Sequence, residues 1–228
     1  MPSSEDRFSV RSSRAVKELI DSPGFNVEVR PPDPSITLPA DHLEVRTTLL
    51  KYVAPSVAED LQEHYFPVDE IHASWDSTGQ PRASGELCLT NILICLTRWQ
   101  APLGDSTLAR SDQEVLASLK VVDQEPFSGT GRVTGIRITS RDTEPEIWYH
   151  DTPRSRLTRM ELSYGAYAET ALATKGAFGW QYLFTDVNLS SPEFHAASRN
   201  LGESLALFSE AFPQYDYVPL VNRLEARL

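Results

Sequence analysis

The stretch EIWYHDTPRSRLTRMELS, residues 146–163, has the clearest local pattern in the chain. Glu146–His150 and Leu157–Leu162 are rich in aromatic and aliphatic residues, which is typical of strands. Asp151–Arg154 lies between them and contains the aspartate and proline that favour a turn. The stretch therefore predicts a strand, a turn and a second strand.

The residues that follow predict a change to helix. Ser163 is a favourable N-cap for a helix that runs to Lys175, and Gly176 is the residue type that commonly ends a helix. Ala177–Val187 is dense in aromatic side chains and predicts a short buried helix or turn against the sheet.

The same reasoning extends along the rest of the chain. Further strands are expected at Phe25–Val29, Ile71–Trp75, Gly85–Leu96, Lys120–Phe127 and Val133–Ser140. Further helices are expected over residues 12–20 and 41–54, from Ser56, and over residues 111–119, 190–212 and 218–228. Because strands and helices do not alternate regularly, we expect an α+β fold with a mixed, largely antiparallel sheet covered by helices.

Composition limits the function more than it identifies it. The chain has 228 residues, with 21 Lys and Arg against 32 Asp and Glu, a net charge of -11, and a pI near 4.9. The length allows one large domain, or one domain with an appendage. The acidic balance argues against sequence-independent nucleic-acid binding and against docking on an anionic membrane, because both require clustered Lys and Arg.

The chain is expected to be cytoplasmic. Its main apolar run, Ile92–Leu96, is far shorter than the roughly 20 residues that span a bilayer. Residues 1–10 contain Glu5 and Asp6 where a secretory signal would need a basic start and an apolar run.

The two cysteines, Cys88 and Cys95, lie seven residues apart within one predicted strand, so their side chains should point to opposite faces. We therefore expect two small buried hydrophobic side chains and neither a disulfide nor a metal-binding pair.

Motifs for catalysis or cofactors are not evident in the sequence. The glycine-rich residues 129–135 lack the Lys-Ser/Thr of a P-loop and have the wrong spacing for a dinucleotide fingerprint, so a hairpin turn is favoured. The five histidines are scattered, and neither a zinc-binding spacing nor a nucleophile elbow is present. We predict no catalytic residue, no cofactor and no metal.

The segment from Pro55 to Asp76 contains six acidic residues and no Lys or Arg. Two of them, Glu59 and Glu63, are one helical turn apart and should repel each other. A solvated face of an acidic protein is one explanation, and a negative patch that attracts a basic partner is the other. The predicted partner-binding residues are Glu59, Asp60, Glu63, Asp69, Glu70, Trp75 and Asp76, with Trp75 or Tyr65 as aromatic anchors.

A family resemblance adds to this interpretation. Leu49–Tyr65, Ile71–Trp75 and Gly85–Leu87, together with Ile147–Asp151 and Gly179–Phe184, resemble the SUKH superfamily of Smi/Knr-like proteins. The similarity covers roughly residues 43–187 and is a loose pattern of apolar, Trp and Gly positions. It departs from the family at Phe66–Glu70, where the usual Asn-Gly or Asp-Gly turn is missing, and it does not cover the insert at 100–125 or the C-terminal helices.

The resemblance implies that residues 42–228 form a single SUKH-like domain with a C-terminal helical extension. Residues 1–41 are expected to form an arm or appendage that precedes it. It also implies a bacterial immunity protein that uses no cofactor and neutralises a cognate toxin, often a nuclease, by stoichiometric occlusion. A regulatory or scaffolding module is the second hypothesis. The third is an enzyme whose site brings His64, His72 or His150 within about 3 Å of a carboxylate beside a pocket.

Overall fold

The computed structural model describes residues 7–98 and 100–228. Its centre is one seven-stranded antiparallel sheet whose strand order follows the chain order. The strands are β1 Phe25–Arg30, β2 Glu70–Ser77, β3 Ser84–Thr90, β4 Lys120–Gln124, β5 Val133–Arg137, β6 Glu146–Asp151 and β7 Arg156–Met160. The expectation of a largely antiparallel sheet in an α+β fold is confirmed.

Eight helices surround this sheet in the described part of the chain. They are α1 Phe8–Asp21, α2 His42–Leu49, α3 Pro55–Glu63, α4 Ile92–Thr97, α5 Arg110–Ser118, α6 Tyr164–Ala173, α7 His195–Ala211 and α8 Val218–Glu225. Short 3-10 turns lie at Thr152–Arg154, Trp180–Phe184 and Pro192–Phe194. None of the helices among the described residues is long and apolar enough to cross a membrane.

The two faces of the sheet have different environments. One face packs on the main core, which includes Trp75, Leu87 and Ile147. Since side chains alternate along a strand, Trp148 points to the other face, where it packs with Leu116 of α5 in a small second cluster. Over β2 and β3 that outer face is polar, and the candidate site described below lies there.

The expectation for residues 146–176 is confirmed. Strands β6 and β7 pair from Ile147 opposite Met160 to Asp151 opposite Arg156. The Ser163 hydroxyl caps α6 by accepting a 3.2 Å hydrogen bond from the backbone N–H of Ala166.

The expectation of one strand from Gly85 to Leu96 is wrong beyond Thr90. The side chain of Asn91 accepts a 2.9 Å hydrogen bond from the backbone N–H of Leu93 and caps α4. The Asn91 amide also donates to the main-chain carbonyl of Phe66. This long-range contact fixes the cap, so the apolar run continues as a helix.

Ser56 was expected to be the N-cap of α3, but the helix begins two residues earlier. Its N-cap is Ala54, and Pro55 occupies the first turn, so Ser56 lies inside the helix and makes no cap hydrogen bond. Proline is favoured there because the first helical N–H groups have no partner within the helix.

Residues 1–41, expected to form an arm or appendage, contribute to the sheet and the main core. Strand β1 pairs with β2 from Phe25 opposite Ser77 to Arg30 opposite His72. Phe8 and Leu19 of α1 are fully buried in the main core cluster. Residues 1–6 of this segment lie outside the described residues.

Candidate functional site

The acidic residues between Pro55 and Asp76 do not share one environment. Glu59 and Glu63 are exposed on α3, one helical turn apart. Within the described residues, neither carboxylate makes a hydrogen bond or an ion pair. These two residues are available to a partner from solvent.

Three of the other carboxylates accept hydrogen bonds from residues that are distant in the sequence. Asp60 accepts from the backbone N–H of Gly165 at 3.2 Å, and Asp69 accepts from the backbone N–H of Asp33 at 3.1 Å. Asp76 accepts from the Asn26 amide at 2.9 Å.

The acidic residues are also spread along the fold. Asp76 and Glu70 lie near opposite ends of β2, about 20 Å apart at the usual rise of a strand. The structure therefore does not join all six carboxylates into one continuous patch.

The expected aromatic anchors are not free surface groups. Trp75 is buried in the core, and its indole donates a 2.7 Å hydrogen bond to the main-chain carbonyl of Lys175. The prediction that Trp75 belongs to the interface is therefore wrong, because its side chain points to the core face of β2. Tyr65 is half-buried, and its hydroxyl donates to the main-chain carbonyl of Pro39 at 2.6 Å.

Three histidines lie beside carboxylates from distant parts of the chain. His64 Nε2 is 3.3 Å from Glu169, and His150 Nε2 is 3.2 Å from Asp105. His72 Nε2 is 2.9 Å from Glu86, which meets the distance expected of an assembled site.

Two pockets are formed by other residues. An open groove along β7 is lined by residues 156–161 and Asp186. A small cavity at β4, β5 and β6 is lined by Asp123, Gln124, Glu125, Arg132, Val133, Thr134, Tyr149 and Gln181. Neither of these two linings contains a histidine. The histidine–carboxylate distances agree with the enzyme hypothesis, which stays a hypothesis.

The small cavity contains three buried polar atoms without a hydrogen-bond partner: Asp123 Oδ1, the Tyr149 hydroxyl and Gln181 Oε1. Burial raises the pKa of Asp123 to about 7, although the hydrogen bond from the Tyr167 hydroxyl acts in the opposite direction. This arrangement can hold a proton at Asp123 near neutral pH.

A polar cluster lies on the outer face of β2 and β3. His72 and Cys88 are directly opposite each other in the β2–β3 pairing. Glu70 and Glu86 each lie two residues before one of them, so all four side chains share one face. We call these four residues the outer-face cluster.

The distances in the outer-face cluster are short. Nδ1 of His72 is 3.5 Å from Glu70 Oε1, and the Cys88 sulfur is 3.9 Å from Glu70 Oε2. The His72 side chain is fully buried, and its Nδ1 makes no hydrogen bond. One potential ligand atom each from Glu70, His72 and Cys88 lies within 4.8 Å of the other two.

A loop after β4 covers the outer-face cluster. The Phe127 ring stacks on the His72 ring with centroids 4.2 Å apart. The backbone N–H groups of Phe127 and Ser128 donate to Glu86 at 2.8 and 2.9 Å. Strand β4 ends at Gln124, earlier than the expected Phe127, which leaves these groups free to reach Glu86.

Burial and charge act against each other in this cluster. Burial lowers the pKa of His72, but the carboxylates of Glu70 and Glu86 outweigh it and raise that pKa to about 9. Burial, with the nearby carboxylates, raises the pKa of the Cys88 thiol.

No protein-family model matches this chain, and neither the curated proteins nor the solved structures give a match to it. The resemblance to the SUKH superfamily therefore stays a prediction.

The outer-face cluster was not predicted as a unit. The sequence alone predicts Glu70 at a partner interface and Cys88 as an inert buried side chain. The sequence does show that Glu70 and His72 are two residues apart in one expected strand, and that Glu86 and Cys88 are two residues apart in another. Residues with this spacing point to the same face of a strand. Only the register of β2 and β3 shows that the pairs meet on one face.

Proposed function

We propose that the protein is a cytoplasmic immunity protein that binds a basic protein toxin one to one and occludes its active site or substrate groove. The net charge of -11 supports this proposal, as does the resemblance of residues 43–187 to the SUKH superfamily. The toxin would be the only partner required, and no cofactor would be needed.

The observation that carries the proposal is the pair Glu59 and Glu63 on α3. Both carboxylates are exposed, and neither has a partner within the described residues. Like charges one helical turn apart destabilise a helix by a few tenths of a kcal/mol, and folding offers no compensation for that cost here. An approaching basic surface would remove this repulsion and would be attracted over long range.

The test begins with a tagged full-length chain used to isolate partners from the native host, followed by mass spectrometry and calorimetry. We expect one basic toxin domain that binds one to one with nanomolar affinity. Several weak cellular partners would replace the proposal with a regulatory or scaffolding module, and the absence of any partner would overturn both.

Charge reversal then tests the surface. Glu59→Lys with Glu63→Lys should slow association with the toxin by about tenfold or more and reduce its salt dependence. The matched control is Glu210→Lys with Glu225→Lys, which reverses two exposed charges on α7 and α8. Equal association rates for the two double variants would remove α3 from the interface.

A further inference from the structure

We propose that Glu70, His72 and Cys88 form a Zn²⁺-binding site on the outer face of β2 and β3, with Glu86 as the carboxylate that orients His72. This inference is independent of toxin binding. It also differs from the sequence-based expectation, which assigned Cys88 to an inert buried position and predicted no metal.

The distances between the potential ligand atoms suit a small tetrahedral ion. Zinc bonds of about 2.0–2.3 Å place neighbouring tetrahedral ligand atoms about 3.3–3.8 Å apart. His72 Nδ1 and Glu70 Oε1 are 3.5 Å apart, and the Cys88 sulfur lies 3.9 Å from Glu70 Oε2. The three ligand atoms lie within 4.8 Å of one another, so a bound ion would have to draw them closer together.

The unused nitrogen of His72 is the second observation that points to a ligand. A buried polar atom normally has a hydrogen-bond partner, yet Nδ1 has none in a side chain that is fully buried. Its other ring nitrogen, Nε2, is 2.9 Å from Glu86. With Nε2 as the donor, Nδ1 has a free lone pair and lies 3.5 Å from Glu70 Oε1.

Glu86 has the features of a carboxylate that supports a metal-binding histidine. Such histidines commonly donate their second ring N–H to a carboxylate, which fixes the tautomer and the ring orientation. Glu86 is itself held by the backbone N–H groups of Phe127 and Ser128. The Phe127 ring lies against the His72 ring and limits its rotation.

The chemistry of the ligand atoms selects the metal. A thiolate, an imidazole and one carboxylate suit Zn²⁺, whereas Mg²⁺ and Ca²⁺ prefer sites made of oxygen atoms. Three protein ligands leave a fourth position for water or for an exogenous ligand. Binding requires the Cys88 thiol to release its proton, because the thiolate is the metal ligand.

Protonation of His72 at Nδ1 competes with metal binding, because the proton would take the lone pair that the metal needs. An imidazolium ion between Glu70 and Glu86 would balance both carboxylates without a metal. Arg30 also lies 3.7 Å from Glu70 and competes for that carboxylate. The experiment must therefore detect a bond from the metal to sulfur, which neither competitor can produce.

The experiment is a titration of the full-length, metal-free chain with Co²⁺, followed by absorption in the near-ultraviolet region. We expect one Co²⁺ per chain and a thiolate-to-Co²⁺ charge-transfer band that Zn²⁺ abolishes by displacement. Cys88→Ser should lose the band. Cys95→Ser should retain it, because Cys95 is the other buried cysteine and its sulfur contacts the Val121 carbonyl.

Two further variants keep the test decisive if Cys88→Ser fails to fold. Glu86→Gln should weaken Co²⁺ binding by about 10- to 100-fold while keeping the band at saturation. Glu70→Gln, at the more exposed side of the site, should also weaken binding. A folded wild-type chain without the band, or a band that persists in Cys88→Ser, would overturn the proposal and favour the protonated histidine.

Discussion

The indole Nε1 of Trp75 donates a 2.7 Å hydrogen bond to the main-chain carbonyl of Lys175, which lies 100 residues away in the sequence. This bond connects the centre of β2 to the turn that follows α6. In the same region, the backbone N–H of Glu86 donates to the Gly176 carbonyl at 2.9 Å. The turn after α6 therefore packs directly on β2 and β3.

Trp75→Phe should lower the free energy of unfolding by about 2 kcal/mol, because it leaves the buried Lys175 carbonyl without a donor. The matched control is Trp148→Phe. The Trp148 indole donates to a half-buried Glu146 carboxylate, which water can solvate in its place. Urea denaturation of both variants measures the difference, and equal losses would show that the Lys175 contact has no special weight.

Gly85→Ala should destabilise the protein by about 3 kcal/mol or more. A Cβ atom at Gly85 would lie 2.6 Å from the Gly176 carbonyl oxygen and 2.8 Å from the Trp75 ring. Gly79→Ala is the control, since no atom lies within 4 Å of a Cβ there. Thermal unfolding should separate the two variants clearly. If Gly85→Ala melted with the wild type, the close packing of this turn on β3 would be wrong.

The regular parts of this fold could be predicted because their determinants are local. The pattern of residues 146–163 and the Ser163 cap each depend on a few consecutive residues, and both match the structure. The end of β3 could not be predicted in the same way. Asn91 ends the strand through a cap that depends on the Phe66 carbonyl, 25 residues away.

The candidate sites show the same division. The exposure of Glu59 and Glu63 follows from helical periodicity, and the structure agrees with it. The burial of Trp75 and the meeting of His72 with Cys88 depend on strand register and on which face the core covers. A single sequence determines neither the strand register nor the face that the core covers. For this reason Trp75, expected as an anchor, is a core residue, and Cys88, expected to be inert, is a candidate ligand.

His64 should make the stability of the protein depend on pH. Burial acts to lower the pKa of His64, but the hydrogen bonds to Glu169 and to the Asp60 backbone outweigh burial and raise it. The other charged groups in this contact are the Asp60 carboxylate, 3.5 Å from His64 Nδ1, and Arg11, which pairs with Glu169. A raised folded-state pKa stabilises the protein fully below the ordinary histidine pKa of about 6.5, and this stabilisation is lost as pH rises through the folded value.

His64→Gln should therefore reduce stability more at about pH 5.5 than at about pH 8.5. Glu169→Gln should reduce the pH dependence in a chain that keeps His64, because it removes the main charged partner. Urea denaturation at the two pH values measures both effects. A loss on His64→Gln that is the same at both pH values would show that the two carboxylates do not stabilise the protonated ring.

Removing one partner of the ion pair between Lys175 and Glu18 should lower the free energy of unfolding more than replacing both partners. Lys175 Nζ is 2.9 Å from Glu18 Oε2, and the lysine side chain is only 1% exposed. Glu18→Gln leaves a buried ammonium group without a carboxylate and should cost about 3 kcal/mol. Adding Lys175→Met should recover part of that loss, because the thioether can pack against the Phe212 ring, which already lies 4.4 Å from Nζ.

The backbone conformation of Lys175 affects the single and double variants equally. Its φ of 48° is unfavourable for lysine and for methionine alike, so the strain is similar in the single and double variants. Glu18 also accepts a 2.8 Å hydrogen bond from Tyr215, so the pair joins α1 to the segment after α7. A double-mutant cycle measures the coupling. If Glu18→Gln with Lys175→Met were no more stable than Glu18→Gln alone, the cost would come from the Tyr215 contact and not from the unpaired charge.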